Sequence, residues 1–317
     1  MVLVVNGKDI TAMVGNISLD SNTDTLGDQL NFEMAYVNYL NHQVDVGDVV
    51  QLFDIKKEVF VGVVVAKNIK ERSRDFICFD FAFYLNKSKV IKQFNNVSAD
   101  AAIKQLLTEF SVPIGSIAPM KTIIKKIYYD KEVSEVIKDI MEEVKKATGI
   151  RYIMEMNRGK LEIYKAADKV VKATVKLADN VAPIDCMTTI SSPSKSRSIE
   201  EMKNSIKLYV GNESKVQVYA EAKNDSLISK YGLLQETQSL EEKNIAQAKN
   251  IANNLLKELG KVVETAEITV LGNFDLRAGR IVEVHEPSTE ISGKYRIKSC
   301  NHEIGALHKT TLELEVV

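Results

Sequence analysis

The chain carries one short β-pattern twice. "QVDVGDVVQL", Gln43 to Leu52, and "DLRAGRIVEV", Asp275 to Val284, both read as a polar turn, a glycine and then a strand. Setting Gly47 on Gly279 gives an offset of 232 residues, at which Val49 meets Ile281, Val50 meets Val282 and Leu52 meets Val284. Without a gap, Val63 then meets Tyr295 and Val65 meets Ile297. The last strands, "FICFDF" and "TLELEV", fall into step after about four extra residues near "GALHK". A glycine before a strand can take a positive φ that strains other residues. Apolar matches at every second position are what a shared inward face requires. Two unrelated β-meanders with common turn chemistry would share part of this pattern. An unbroken register through turn, strand, loop and strand favours two copies of one small β-unit.

With 317 residues the chain has room for two or three domains. Hydrophobic residues make up 45% and charged residues 27%, so several cores can be built. No segment approaches the roughly 18 apolar residues that would span a bilayer. The start, "MVLVVNGKDI", reads as a first strand and not as a secretory signal. The formal net charge is −1, which leaves no global pull on nucleic acid or acidic membranes. The basic cluster "KTIIKKIYYDK" has the apolar spacing of a strand or short helix with solvated lysines. Three distant cysteines, Cys78, Cys186 and Cys300, argue against a disulfide framework and for folding in a reducing compartment.

The expected fold class is α+β, mainly β: two similar small β-barrel domains with an α+β insert domain between them. Residues 1–90 form the N-terminal barrel, with six short runs rich in β-branched and aromatic residues. Residues 91–200 form the insert. There Ser98 precedes a helix with Ala102, Ile103, Leu106, Leu107 and Phe110 on one face, stopped by Pro113. "KEVSEVIKDIMEEVKKATG" is a second helix, acidic early and basic late, with Gly149 as its C-cap. "IRYIMEM" and "GKLEIYKA" make a hairpin around "NRGK", and the Ser-rich stretch near 188–200 reads as a loop or linker. Residues 201–317 form the C-terminal barrel. It carries a long helix at 240–259, with Ser239 and Glu242 as a capping box and Gly260 at its far end.

Catalytic patterns are missing. The chain has no G-x-S-x-G, no H-E-x-x-H and no phosphate loop. Of His42, His285, His302 and His308, the last two lie near Cys300 and Glu303, but no further ligand with recognisable spacing accompanies them. "DSNTDTLGD" starts like a calcium loop, yet Thr25 and Asn31 stand where its glycine and bidentate glutamate belong, so a polar hairpin loop is expected. Acidic pairs such as Glu142–Glu143 and Glu241–Glu242 sit in helices as solvated faces and caps. No catalytic, metal or cofactor residues are assigned and no cofactor is expected. The residues singled out are the turn glycines Gly47, Gly279 and Gly293 and the repeat core Val49, Leu52, Val63, Val65, Ile281, Val284, Tyr295 and Ile297.

The layout resembles a known family. "VSADAAIKQLLTEFSVPIGSI" in the insert and "LRAGRIVEV…GKYRIKSCNHEI…HKTTLELEV" at the C-terminal end are similar to the XkdQ/YqbQ group of phage tail proteins. These belong with the late control protein D family of contractile-tail hubs. The likeness is strongest from Phe274 to Val317: the Gly279 turn, the Gly293–Tyr295 strand start and the terminal strand Thr310–Val317. It implies a structural baseplate hub and not an enzyme: a homotrimer whose subunits each contribute two barrels. Three subunits then present six barrels to a sixfold tail tube and hold a threefold central spike, with wedge proteins around them. The protein would be made in the bacterial cytoplasm and assembled into a phage tail or a tail-like bacteriocin. A tail-associated cell-wall hydrolase is the alternative, though it would need a polarised carboxylate, Cys/His or metal pair. A carbohydrate-binding β-module would need aromatic platforms, and the chain has no Trp and only 7% aromatic residues.

Overall fold

The computed structural model describes residues 1–35, 44–175, 181–212 and 215–317. His42 and Gln43 lie outside them. Strands β1 (Val2–Val5) and β2 (Lys8–Asp9) flank Asn6 and Gly7. Both turn residues have positive φ, the geometry that suits the twist of a two-residue hairpin. β3 (Val14–Asn22), β4 (Gln29–Ala35), β5 (Val49–Asp54), β6 (Lys57–Ile69) and β7 (Ser73–Asp80) follow. The period of two is kept: β4 buries Leu30, Phe32 and Met34, and β7 buries Phe76, Cys78 and Asp80. Phe32 and Phe76 lie opposite one another in the β4–β7 ladder and stack with ring centres 4.9 Å apart.

The middle of the chain contains α1 (Ala82–Lys87), β8 (Lys89–Ser98), α2 (Ala99–Glu109), β9 (Ile114–Ile117), β10 (Ile123–Glu132), α3 (Val133–Thr148), β11 (Tyr152–Asn157) and β12 (Lys160–Lys165). α2 buries Ala102, Ile103, Leu106 and Leu107 as its spacing predicts, and Ser98 is its N-cap in extended conformation, although the hydroxyl makes no capping bond. Gly149 follows α3 with φ +73°, and the β11–β12 hairpin turns on Arg158 and Gly159, both at positive φ. After β13 (Thr174–Val175) and β14 (Ile184–Asp185), the Ser-rich segment forms strand β15 (Ser191–Ser198) in place of the expected loop. It is an end strand with most side chains exposed, so burial imposes no apolar period on it.

β16 (Ser205–Asn212), β17 (Lys215–Lys223), α4 (Asp225–Tyr231), β18 (Gln235–Ser239) and α5 (Ala248–Leu259) come next. The chain closes with β19 (Val263–Leu271), β20 (Ile281–Glu286), β21 (Ile291–Ile304) and β22 (Lys309–Val316). The protein is mainly β. Twelve strands share one sheet in the order β15-β19-β22-β21-β3-β4-β7-β6-β5-β1-β2, with β20 paired to β21. Closed barrels were expected, but the described ladders do not close. β3 is flanked by β4 and β21, and β5 by β6 and β1, so the edges that would meet to close a ring already have neighbours.

Two compact units divide the chain differently from the expected boundaries. One holds residues 1–140, 152–195 and 266–317, and the other holds 141–151 and 196–265. In the smaller unit, Ile206 and Leu208 of β16 pack with Ile251 and Ala252 of α5. The helix expected among the C-terminal strands therefore belongs with β16 and β17. It begins as a 3-10 turn, Glu242–Gln247, with no side-chain cap. Ser239 is held in β18 opposite Tyr209, which leaves it unable to serve as the capping residue.

Phe32→Ala, which removes one ring of the β4–β7 stack, is expected to cost about 3–5 kcal/mol in urea unfolding. Ile69→Ala, at an exposed strand end, should stay within about 0.5 kcal/mol.

Candidate assembly interface

The first five strands of interest run in the order β3-β4-β7-β6-β5 and the last five in the order β15-β19-β22-β21-β20, so the two sets have the same chain-to-sheet permutation. Their turns are tied alike. Gly47 (φ +89°) donates its N–H to Val64 O at 2.8 Å, and Val64 donates to Asp48 O at 2.9 Å. Gly279 (φ +88°) donates to Ile297 O at 2.7 Å, and Ile297 donates to Arg280 O at 2.9 Å. Beyond these ties, each long strand has an irregularity one step later. The β6–β7 register shifts between Val64 and Ala66, and the β21–β22 register shifts between Ile297 and Ser299. A residue inserted into one strand turns the following side chains to the other face.

These bonds revise the residue correspondence. Ile297 stands where Val64 stands, and Tyr295 where Gly62 stands, one residue off the gap-free match with Val65 and Val63. Val65 falls in the bulge and is half-buried. Leu52, Val63, Ile281, Val284, Tyr295 and Ile297 are buried, but Val49 is 40% exposed where Ile281 is 2%. The difference comes from Lys169 and Val171, which bond to the backbone of Ile281, whereas the Val49 N–H is taken by the Asn6 side chain. Gly293 has φ +122° at an open position before Tyr295.

The sets meet along β21. Its first half, Ile291–Arg296, pairs with β20, and its second half, Ser299–Ile304, pairs with β3 from Asn22 to Ile17. Buried ions brace this seam. Arg277 pairs with Asp28, and its Nε lies 3.8 Å from Glu155, while Arg280 pairs with Glu155. The Tyr164 hydroxyl donates to Glu155 at 3.0 Å, and Arg296 donates to the carbonyls of Ala166 and Gly279 at 2.7 and 3.0 Å. Burial draws the Arg277 guanidinium down to about 10, which leaves it charged at neutral pH. Burial pushes Asp80 up to about 8, although its carboxylate accepts N–H bonds from Asp28 and Ala82. Sequence reasoning missed Arg277 and Arg280, because an "LRAGR" turn reads as solvated until carboxylates far along the chain are brought to it.

The Cys300–His302–His308 group is a closed hydrogen-bond set. The carbonyl of Leu276 can only accept, so His302 donates from Nε2 to it at 2.9 Å. Its Nδ1 is then the acceptor, 2.9 Å from Thr310 Oγ1 and 3.0 Å from His308 Nε2. Burial, then His308, pulls His302 down to about 3, and burial pushes the Cys300 thiol far up, which makes it a poor nucleophile. Among the described residues no group of three His, Cys, Asp or Glu could hold a metal ion.

In β6, the positions matching the seam half of β21 are Ala66–Ile69. They pair with β7 on one side and, among the described residues, have no strand on the other. β15, which matches β3 in order, ends the sheet. Among the described residues, one edge of β6 and the outer edge of β15 thus have no strand partner where their counterparts, β21 and β3, pair.

The model of a family described as YQBQ-like matches residues 17–315. The chain belongs to the YQBQ-like family. It is 30% identical over 280 residues to the uncharacterized protein YqbQ of Bacillus subtilis strain 168, covering 86% of this chain and 82% of that protein. It is 27% identical over 279 residues to the phage-like element PBSX protein XkdQ of the same organism, with the same coverage. Its fold is similar to that of the 43 kDa tail protein of prophage MuSo2 from Shewanella oneidensis, with TM-score 0.72 and 14% identity over 99% of this chain and 97% of that one.

Removing one member of a buried ion pair strands the other. Arg277→Ala is expected to lower stability by about 3–5 kcal/mol in denaturant titration. His302 supplies a pH signature. Its folded value lies below the ordinary 6.5, so below that pH the unfolded chain takes up a proton that the folded chain refuses. Its contribution is present above about pH 6.5 and is lost as pH falls toward 3. His302→Gln should flatten stability against pH in this window, read from urea midpoints at several pH values.

Proposed function

We propose that the chain is a structural subunit of a phage tail baseplate hub, and that its two strand sets are copies of one unit through which three chains imitate six. The observation that carries this reading is the β21–β3 seam together with its unfilled counterpart. Within one chain, the second set offers the back half of β21 to the first strand of the first set. Between chains, the first set would offer Ala66–Ile69 of β6 to β15 of a neighbour. Head-to-tail contacts of this kind are heterologous and need a rotation that closes. Three chains with two units each give a ring of six near-equivalent units. Its partners would be the tail tube on one side, a threefold spike on the other, and wedge proteins outside. Membership in a family with a phage-like element protein, and a fold shared with a phage tail protein, support this role and a product assembled into a virion. The role is mechanical: to adapt symmetry, gate the tube and pass sheath contraction to the spike.

The open edge gives the test. Lys70 donates its N–H to Ser73 O in β7, so by the alternation of an antiparallel ladder Lys67 and Ile69 point theirs to the open side. Ile69→Pro removes one of these donors. Native mass spectrometry of the wild-type chain, with and without a spike protein, is expected to give a species of three chains. Ile69→Pro should remain monomeric with a melting temperature within a few degrees of wild type. A tight dimer in every sample, or a trimer indifferent to Ile69→Pro, would sink the ring.

A further inference from the structure

Asn6–Gly7 is the only Asn-Gly step in the chain. It forms the turn between β1 and β2, with φ +48° at Asn6 and +78° at Gly7. Joining the Gly7 nitrogen to Asn6 Cγ closes a succinimide ring, and an attack within one chain needs no encounter between molecules. After most residues a Cβ crowds the attacking nitrogen. Gly7 has none, and the space where one would stand is empty to 4 Å.

Both ends of the Asn6 side-chain amide are fixed. The Val49 N–H can only donate, so the atom it meets at 3.0 Å is Oδ1. The Asp48 carboxylate can only accept, so the atom 2.8 Å from it is Nδ2. The Asn6 N–H donates to Val49 O at 2.9 Å, which anchors the backbone to the same strand. The bond from Val49 faces the charge that develops on Oδ1 when Cγ is attacked. The Gly7 N–H is exposed and has no hydrogen-bond partner among the described residues. No bond has to break before that nitrogen reacts.

We propose that Asn6 is a site of self-modification, at which the folded chain loses ammonia and acquires aspartate or isoaspartate. Gly7 N bonds to Cγ, the Cγ–Nδ2 bond breaks, and Nδ2 leaves as ammonia with the proton that Gly7 N gave up. Solvent water then opens the ring at either carbonyl. Attack at Cγ yields aspartate, and attack at the backbone carbonyl leaves the chain running through Cβ, as isoaspartate. Either product changes the turn. The new carboxylate stands against Asp48 where the amide had donated, so a hydrogen bond gives way to like-charge repulsion. Isoaspartate also adds a backbone carbon to a two-residue turn, which the pairing of Val5 with Lys8 does not accommodate. β2 ends the sheet beyond β1, so its release keeps the core and bares an edge of β1 to other chains. The inference does not rest on the hub reading.

The test incubates the full, folded chain in warm, mildly alkaline buffer and maps its peptides by mass spectrometry. Asn6 is expected to exchange its side-chain NH2 for OH before any other Asn does, with isoaspartate identified by labelling with protein isoaspartyl methyltransferase. In mildly acidic buffer, where the ring opens slowly, the same peptide should show the loss of ammonia. Gly7→Ala should slow conversion by about tenfold or more. If that variant disturbs the hairpin, the wild-type time course decides alone. Asn6→Asp, which carries one product, should melt a few degrees below wild type. The drop should shrink in an Asp48→Asn background, where the carboxylate meets an amide. The proposal is overturned if Asn6 keeps its amide while other Asn residues are converted, or if conversion at Asn6 is confined to the urea-unfolded chain. Equal melting of Asn6→Asp and wild type would overturn the consequence for the turn.

Discussion

One strand that changes face once holds the larger unit together. β21 presents the same edge first to β20 and then to β3, while β22 takes its other edge. The bulge after Ile297 makes this possible. Before it, Tyr295 and Ile297 are buried; after it, Cys300 and His302 are. Without the extra residue, the inward phase of the first half would put Ser299 and Asn301 in the core and turn Cys300 and His302 to solvent. The glycine tie upstream fixes where the switch occurs, because the Gly279 N–H holds Ile297 O and only a left-handed backbone turns the chain into that bond.

The buried ions add specificity at this seam more than stability. Asp28, Glu155 and the Arg277–Arg280 turn come from three distant parts of the chain, and each charge is covered by the partners that neutralise it. Such a set gains little over well-packed apolar side chains, but a slipped register leaves charges buried without partners. The β21–β3 pairing therefore tolerates one alignment. A head-to-tail joint repeated around a ring needs that property, because small angular errors would keep it from closing.

Much of this was legible in the sequence, for physical reasons. Gly47 and Gly279 announce themselves because a positive φ leaves few alternatives, and α2 and α3 because one wet and one dry face impose a period. The residue correspondence was off by one because "EVFVGVVVA" is apolar almost throughout, so any offset across it scores well, and the two hairpin loops differ in length. β15 was hidden by its position: a strand at the end of a sheet with exposed faces has no reason to be apolar. α5 is legible as a helix, but its stripe records that it packs without recording on which of the strands of residues 201–317. Arg277 and Arg280 carried no signal, because burial of a charge depends on partners that only the fold supplies. The outward isoleucines of β10 are in plain view in "KTIIKKIYYDK", but their alternation looks like that of any strand.

The proposed hub rests on an edge that is open in one chain and filled in the assembly. Amide hydrogen exchange read residue by residue tests this most directly, in the isolated chain and in the assembled particle or trimer. The account predicts that the N–H groups of Lys67 and Ile69, together with those of β15 that face away from β19, exchange freely in the single chain and become strongly protected on assembly, as Cys300 and His302 are already. Exchange at Lys67 and Ile69 that stays as fast in a proven trimer as in the monomer would contradict it.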